Sequence, residues 1–407
     1  MFQRARGTRD FLPEEMRQRR AVEMRMRLLA ERAGYGEVCT PVFENLELFT
    51  IRSGENIVKE LYAFEDKGGR SLALRPEVTA AVLRMYVNEG KAIPKPLRWY
   101  YVANCFRYER PQKGRYREFW QFGVELIGAD TALADAEVII LADELLRCSG
   151  VSFTLQVGHL APMKHLLSTL REEEQRIIMA HLDKRDFAGL RESLITLGRE
   201  DLEGKLADLA AARDMDEIFA ITGAIPEEER IRETCNILDS NGCRYSLNFG
   251  IARGLDYYTG MVFEAFAENL GAENQILGGG TYRLAHLFGG EDVPSCGFAV
   301  GFDRVMVSLG EVLLPQGRAV GIVSVGEGKK KVFAVAQAFR DAGVRAEVIL
   351  TGKGVGAQIA QVARTAGFAV VIGDREAREG MVTLKDLTSG VQRTCSLADA
   401  VVEVARP

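Results

Sequence analysis

From Pro13 onward the apolar positions Val22, Met26, Leu29 and Ala33 recur at helical spacing, and Gly34 and Gly36 end the run. That periodicity predicts a long amphipathic helix opened by a proline. Tyr35 to Pro41 reads as a short strand, and Leu61–Glu65 and Ser71–Arg75 flank Lys67-Gly68-Gly69 as a hairpin would. Glu77 to Asn88 reads as helix. From Leu97 to Leu126 the chain is rich in aromatic and β-branched residues, broken once at Pro111-Gln112-Lys113-Gly114, which predicts an antiparallel hairpin with a charged tip. A helix over about 131–148 and a strand over 152–157 follow. The stretch from about 160 to 242 is nearly all helix formers inside a strand-rich pattern. It reads as a helical insertion (about 160–225) plus a helix returning to the sheet. Strands resume at Tyr245–Phe249, Met261–Phe266 and Gln275–Gly278, and a helix starts from Gly301.

Past a linker-like Pro315-Gln316-Gly317 the rhythm changes. Ala319–Val325, Arg345–Leu350 and Ala369–Ile372 read as strands alternating with helices over Lys330–Ala342 and Gly356–Ala366. That alternation predicts a small α/β domain with a mainly parallel sheet over 316–407, behind an α+β body over 1–315.

Composition narrows the class. With 407 residues, 47% hydrophobic and 27% charged, the chain has the size of two or three domains and ample core, which excludes disorder, collagen-like repeats and coiled-coil rods. No uncharged apolar stretch approaches the ~18 residues of a membrane span, and the basic start, Met1 to Arg9, runs into acidic helix-like sequence rather than the apolar core of a signal peptide. Seven cysteines (39, 105, 148, 235, 243, 296 and 395) are scattered without a C-x-x-C pair, and the four histidines (159, 165, 181 and 286) do not join them. A disulfide framework and a metal site are therefore not expected, and a cytoplasmic location is. The net charge of −5 divides into about +4 after Gln316 and −9 before it, a polarity compatible with a polyanion held at one end.

The sequence lacks a G-x-x-x-x-G-K-[ST] phosphate loop, H-E-x-x-H and G-x-S-x-G. Gly352-Lys353-Gly354-Val355-Gly356, with Asp374 some way on, imitates a dinucleotide fingerprint. Its spacing is wrong and it follows the domain's second strand, so a glycine-rich helix start facing a phosphate of a larger partner is the better reading. The hairpin Asn104–Gly128 carries more. Strand alternation puts Arg107 and Glu109 on one face, and Gln121, Gly123 and Glu125 together. A guanidinium fork suits phosphate or carboxylate, whereas Gln121 and Glu125 suit a cationic, hydrogen-bonding ligand such as an amino acid. Arg110, Lys113, Arg115 and Arg117 charge the tip; a solvated amphipathic hairpin is the plain alternative. Glu77, Val78 and Thr79 stand at a strand-to-helix turn, where a carboxylate and a hydroxyl also serve as helix-start residues. Arg253-Gly254-Leu255-Asp256-Tyr257-Tyr258 is a compact Arg–Tyr–Tyr group or simply a turn with packed tyrosines. Gly278-Gly279-Gly280-Thr281-Tyr282 permits close backbone approach, and Cys296–Arg304 sets an arginine on the first turn of a helix.

These segments, in this order, resemble the histidyl-tRNA synthetase family of class II aminoacyl-tRNA synthetases. Arg6-Gly7-Thr8-Arg9-Asp10 resembles its N-terminal segment, and Tyr35 to Phe49 with Pro41 resembles motif 1, the dimer-building motif. FRYERPQ and GRYREFWQFG resemble motif 2, Gly301-Phe302-Asp303-Arg304 resembles motif 3, and RGLDYYTG resembles the histidine-specific segment. The resemblance spans essentially the whole chain and is loosest in the helical insertion. It implies an α+β catalytic core with an antiparallel class II synthetase sheet, a helical insertion and a C-terminal α/β anticodon-binding domain. It further implies a homodimer without a membrane association, the substrates L-histidine, ATP with Mg2+ and tRNA(His), and no protein-bound metal.

Carried over position by position, the resemblance gives Arg107 the α-phosphate and the substrate carboxylate, Arg304 the γ-phosphate, and Arg253 the opposite side of the α-phosphate. Glu109, Arg115 and Tyr116 would lie near the nucleotide, and Phe119 would stack on adenine. Glu77 and Thr79, with Val78 between them, would receive the α-amino group. Gln121, Glu125, Tyr257, Tyr258 and Tyr282 would surround the imidazole. Two departures stand out: Thr281-Tyr282-Arg283 where much of the family has Arg-Tyr-Asp, and Asp303 where glutamate is frequent. The runner-up is a non-catalytic, histidine-binding regulatory paralogue of an ATP phosphoribosyltransferase, which has no need of Arg107, Arg253, Arg304 or the terminal domain. A pure RNA-binding module leaves Glu77, Gln121 and Glu125 unexplained.

Overall fold

The structure, a computed structural model, describes residues 2–53, 55–112, 114–183, 186–251, 258–271, 274–314 and 318–406. The chain divides into two compact units, Met1–Val312 and Leu313–Pro407.

In the first unit the long helix α1 (Pro13–Arg32) forms where the 3.6-residue pattern places it. Val22, Met26 and Ala30 are fully buried against the main core. Short strands β1 (Gly36–Glu37) and β2 (Phe43–Asn45), helix α2 (Glu47–Ser53), strands β3 (Tyr62–Glu65) and β4 (Ser71–Leu74), and helix α3 (Thr79–Met85) lead into the hairpin. That hairpin is β5 (Leu97–Phe106) and β6 (Glu118–Ile127), paired antiparallel with Tyr101 opposite Gly123 and Ala103 opposite Gln121. Helix α4 (Ala132–Ser149) follows, started by the Thr131 hydroxyl accepting from the Ala134 N–H and closed by Gly150 in the left-handed region. Strand β7 (Thr154–His159) then precedes six helices: α5 (Leu160–Leu166), α6 (Glu172–Asp183), α7 (Phe187–Thr196), α8 (Asp201–Ala211), α9 (Met215–Thr222) and α10 (Glu228–Ser240). The insertion has its own apolar cluster, which includes Met163, Ile178, Leu194, Leu206 and Ile218. Strands β8 (Ser246–Leu247), β9 (Tyr258–Phe266), β10 (Gln275–Tyr282) and β11 (Ser295–Gly301) complete the sheet, and helix α11 (Phe302–Leu309) packs on it.

The eight strands run in the order β1-β5-β6-β11-β10-β9-β7-β8. They pair antiparallel from β5 through to β7, with a parallel strand at each edge. Non-local pairing places β11 against β6, so the last strand before α11 lies beside the hairpin that carries Gln121 and Glu125.

The second unit holds β12 (Ala319–Ser324), α12 (Val332–Asp341), β13 (Arg345–Val348), α13 (Val355–Val362), β14 (Phe368–Ile372), α14 (Asp374–Glu379), β15 (Met381–Asp386), β16 (Gln392–Ser396) and α15 (Leu397–Ala405). Its sheet order is β13-β12-β14-β15-β16. The expected mainly parallel sheet is corrected here: β12 pairs parallel with β13 and β14, but β14·β15 and β15·β16 are antiparallel. The turn Thr388-Ser389-Gly390 between two alternating strands was the signal for that second hairpin. The helix read from Glu77 starts two residues later, at Thr79. The linker-like Pro315–Gly317 lies outside the described residues.

Candidate functional site

One cleft of the first unit opens over the face of the sheet built by β6, β9, β10 and β11. Its lining brings together Glu77, Thr79, Arg107, Glu109, Arg115, Tyr116, Phe119, Gln121, Glu125, Tyr258, Tyr282 and Arg304, which the sequence scatters over more than half the chain. Arg253 and Tyr257 lie outside the described residues. Val78 does not line the cleft: it is 1% exposed and packs with Val82, Tyr101 and Cys105.

One end of the cleft is acidic and enclosed. The Glu125 carboxylate, 1% exposed, accepts from the Thr79 hydroxyl at 2.8 Å and from the Tyr282 hydroxyl. Burial pushes its pKa up to about 8, against those two hydrogen bonds, and the charge of Glu77 adds to the rise. Burial raises Glu77 too, although its carboxylate accepts from the Ala80 N–H at 3.2 Å and faces the charge of Arg107. Room for this end comes from the neighbouring strand. A Cβ at Gly297, opposite Glu125 in register, would meet the Glu125 carboxylate at 2.1 Å. Gln121 is oriented from below by the Cys105 thiol, 3.2 Å from its Oε1. Tyr258 and Tyr282 meet edge to face, with centroids 6.5 Å apart.

The other end is lined by guanidinium groups anchored to backbone carbonyls. Arg107 Nε donates to the Pro76 carbonyl at 3.0 Å, and its guanidinium lies 5.2 Å from the centroid of the Phe119 ring. Arg304, on the first turn of α11, donates to the carbonyls of Gly114 at 3.1 Å and Gln275 at 2.7 Å. Arg115 pairs with Glu109. Burial alone would raise the Glu109 carboxyl, but that bond and the charges of Arg107, Arg115 and Arg304 hold it below the ordinary range. The expected strand face shared by Arg107 and Glu109 is corrected. β5 ends at Phe106, and the two residues reach the same cleft through a turn in which the Glu109 N–H bonds the Arg107 carbonyl at 2.9 Å.

The departure at Thr281-Tyr282-Arg283 falls at the end of β10, where Thr281 and Tyr282 alternate faces. Thr281 and Arg283 turn away from the cleft, Thr281 to Asp135 at 3.1 Å and Arg283 to Asp130 at 2.6 Å, while Tyr282 between them faces Glu125. Sequence reading missed Tyr101, which lies over Gly123 between the side chains of Gln121 and Glu125. The signal was available: the register of a ten-residue hairpin sets an aromatic residue opposite a glycine. Among the described residues no group of three or more His, Cys, Asp or Glu is placed to hold a metal ion, and all seven cysteines are unpaired.

Comparison with known proteins adds the following. The sequence model of the histidyl-tRNA synthetase family matches residues 7–305, and that of an anticodon binding domain matches residues 319–406. The histidine–tRNA ligase of Methanoregula boonei is 65% identical over 99% of this chain and 98% of its own length. That of Archaeoglobus fulgidus is 48% identical over 96% of each chain. The crystal structure of the apo S. aureus histidyl-tRNA synthetase matches with a TM-score of 0.78 at 29% identity, covering 100% of both chains.

Proposed function

The chain belongs to the histidyl-tRNA synthetase family and joins histidine to tRNA, and we propose that the cleft of its first unit is where histidine is activated. The observation that carries this assignment is the pairing, in one cleft, of a buried hydrogen-bonded carboxylate end with an arginine-lined end. The first suits a cationic amino acid whose ring nitrogens need polar partners; the second suits a triphosphate.

In this reading Glu77 and Thr79 receive the α-ammonium group of histidine. Gln121, Glu125, Tyr258 and Tyr282, with Tyr257, surround the imidazole. Val78, buried behind them, contributes only its backbone. Arg107 holds the substrate carboxylate against the α-phosphate, the family resemblance assigns Arg253 to the opposite side of that phosphate, and Arg304 takes the γ-phosphate. Tyr116 and Phe119 flank the adenine, and Glu109 and Arg115 close the nucleotide side. Mg2+ belongs to the nucleotide substrate, carried on its phosphates.

The chemistry needs no covalent enzyme intermediate. A carboxylate oxygen of histidine bonds to the α-phosphorus as the bond to the bridging oxygen of the β-phosphate breaks, giving histidyl-adenylate and pyrophosphate. A ribose hydroxyl at the tRNA terminus then bonds to the carbonyl carbon and AMP leaves. The protein supplies alignment and fixed positive charge on oxygens whose charge grows in the transition state.

We also propose that residues 316–407 bind the anticodon region and that 1–315 form the catalytic domain. A homodimer built on the motif 1 segment is supported by Val42, Phe43 and Ile51, in and just after that segment, which are 40%, 53% and 47% exposed. A cytoplasmic site of action follows from a tRNA substrate, and no described helix is long and apolar enough to cross a membrane.

Histidine-dependent ATP–pyrophosphate exchange tests the assignment. Exchange with histidine, and none with the other amino acids, is expected. Absence of exchange while histidine still binds would overturn it.

A further inference from the structure

We propose that Arg9 is a positioning residue for the nucleotide end of the cleft, its guanidinium stacked on the Tyr116 ring so that the ring is held ready for adenine. The inference rests on reading Tyr116 as a neighbour of adenine.

The segment Gly7–Phe11 lies along the outer side of the loop that joins β5 to β6. The Gly7 carbonyl accepts from the Arg117 N–H at 2.9 Å. Gly7 has φ +87°, and a Cβ there would meet the Arg117 side chain at 2.7 Å, so only glycine lets the two backbones approach in this way. Two residues on, the Arg9 guanidinium carbon lies 3.6 Å from the centroid of the Tyr116 ring and 4.8 Å from that of Phe11. Tyr116 lines the cleft, as does Asp303, whereas Arg9 is not among the lining residues. The same loop is gripped from the inner side by Arg304, which donates to the Gly114 carbonyl at 3.1 Å.

Arg9 is held in place by Asp303, which is 2% exposed. That carboxylate also accepts from Arg19 Nη1 at 2.7 Å and from the Trp120 N–H at 2.6 Å. Arg19 alone therefore supplies a cation for the buried charge, and neutralising Asp303 does not account for a second arginine. The Arg9 Nε is buried without a hydrogen-bond partner, so the group is placed for its planar face rather than for the reach of all its donors. A desolvated cation over a tyrosine ring restrains that ring more strongly than an exposed one, and a binding surface held in its bound conformation loses less freedom when ligand arrives. Asp303 and Arg304 are adjacent on the first turn of α11, so one helix start fixes both sides of the loop.

The test is histidine-dependent ATP–pyrophosphate exchange with wild type, Arg9→Gln, Arg9→Lys and Tyr116→Ala, measuring kcat and the KM of each substrate. Both Arg9 variants are expected to raise the KM for ATP on the order of tenfold while the KM for histidine stays within about twofold. Arg9→Lys retains the charge beside Asp303 but not the planar stack, so it keeps the test open should Arg9→Gln fail to fold. An unchanged KM for ATP in the Arg9 variants, with a raised one in Tyr116→Ala, overturns the positioning role. So does recovery of the wild-type KM in Arg9→Lys, or a parallel rise in both KM values. An unchanged KM for ATP in Tyr116→Ala overturns the reading of Tyr116 itself.

Discussion

The two ends of the cleft are built on opposite electrostatic plans. At the end proposed for histidine Glu125 is buried with half-buried Glu77 near it, and desolvation raises both carboxyls. At the end proposed for the nucleotide Arg107 and Arg304 are oriented by bonds to neutral carbonyls, with the Glu109 carboxylate held down by their charges. The contrast teaches a division of labour. A desolvated acid pocket discriminates, because a ligand that leaves its buried groups unpaired is rejected strongly. Oriented cations that remain positive accelerate, because they meet charge that grows in the transition state.

Breaking the accelerating end should cost most. Arg107→Ala or Arg253→Ala is expected to lower kcat for adenylate formation by about a hundred- to a thousandfold with the fold intact. Pre-steady-state adenylate formation checks this, and near-normal rates would remove the arginines from the chemistry. Breaking the discriminating end should look different: Glu125→Gln is expected to reduce kcat/KM for histidine by on the order of a hundredfold, mostly through KM. Steady-state exchange over a histidine series reads the split.

The same variant sharpens the comparison through stability. Glu125 moves from an ordinary 4.5 to about 8 in the folded protein, so its contribution to stability is full below about 4.5 and disappears as pH rises through about 8. The unliganded Glu125→Gln protein should therefore melt at a higher temperature than wild type at pH above about 8 and show a smaller loss of Tm between pH 6 and 9. Thermal melts across that range check the sign. A lower Tm for the variant at high pH would show that the carboxylate is stabilised, not strained, by its neighbours. The smallest effect belongs to the second unit. Neutralising Lys329, Lys330 and Lys331 should weaken tRNA binding modestly and flatten its salt dependence, leaving ATP–pyrophosphate exchange untouched. Lys330 is paired with Glu327 and Lys331 donates to the Ala377 carbonyl, which limits what they offer a phosphate.

Much of this was legible in the residues themselves. Period and punctuation located α1 and α4 to within about two residues and placed the β5–β6 hairpin, whose strands nevertheless stop at Phe106 and Glu118, short of the tip read from the sequence, because these elements bury a regular apolar stripe or a continuous strand. The site was legible as motifs, and their assembly was not. Which strand lies beside β6 is decided by long-range pairing with β11, and local pattern contains no record of it. The role of alternation at Thr281-Tyr282-Arg283 was within reach, since neighbouring residues of a strand face opposite ways. The terminal hairpin β15–β16 was overlooked because its exposed strand carries Gln392, Arg393 and Thr394, too polar to register as sheet.

Strand β11 has one consequence beyond packing. Gly297 lies against Glu125 and Gly301 caps the helix that carries Arg304, so four residues of extended chain, about 13 Å, separate the acid pocket from the arginine end. That length acts as a ruler. An inserted or deleted residue in it would shift the glycine beside Glu125 against the helix start that carries Arg304, and so move one end of the cleft relative to the other.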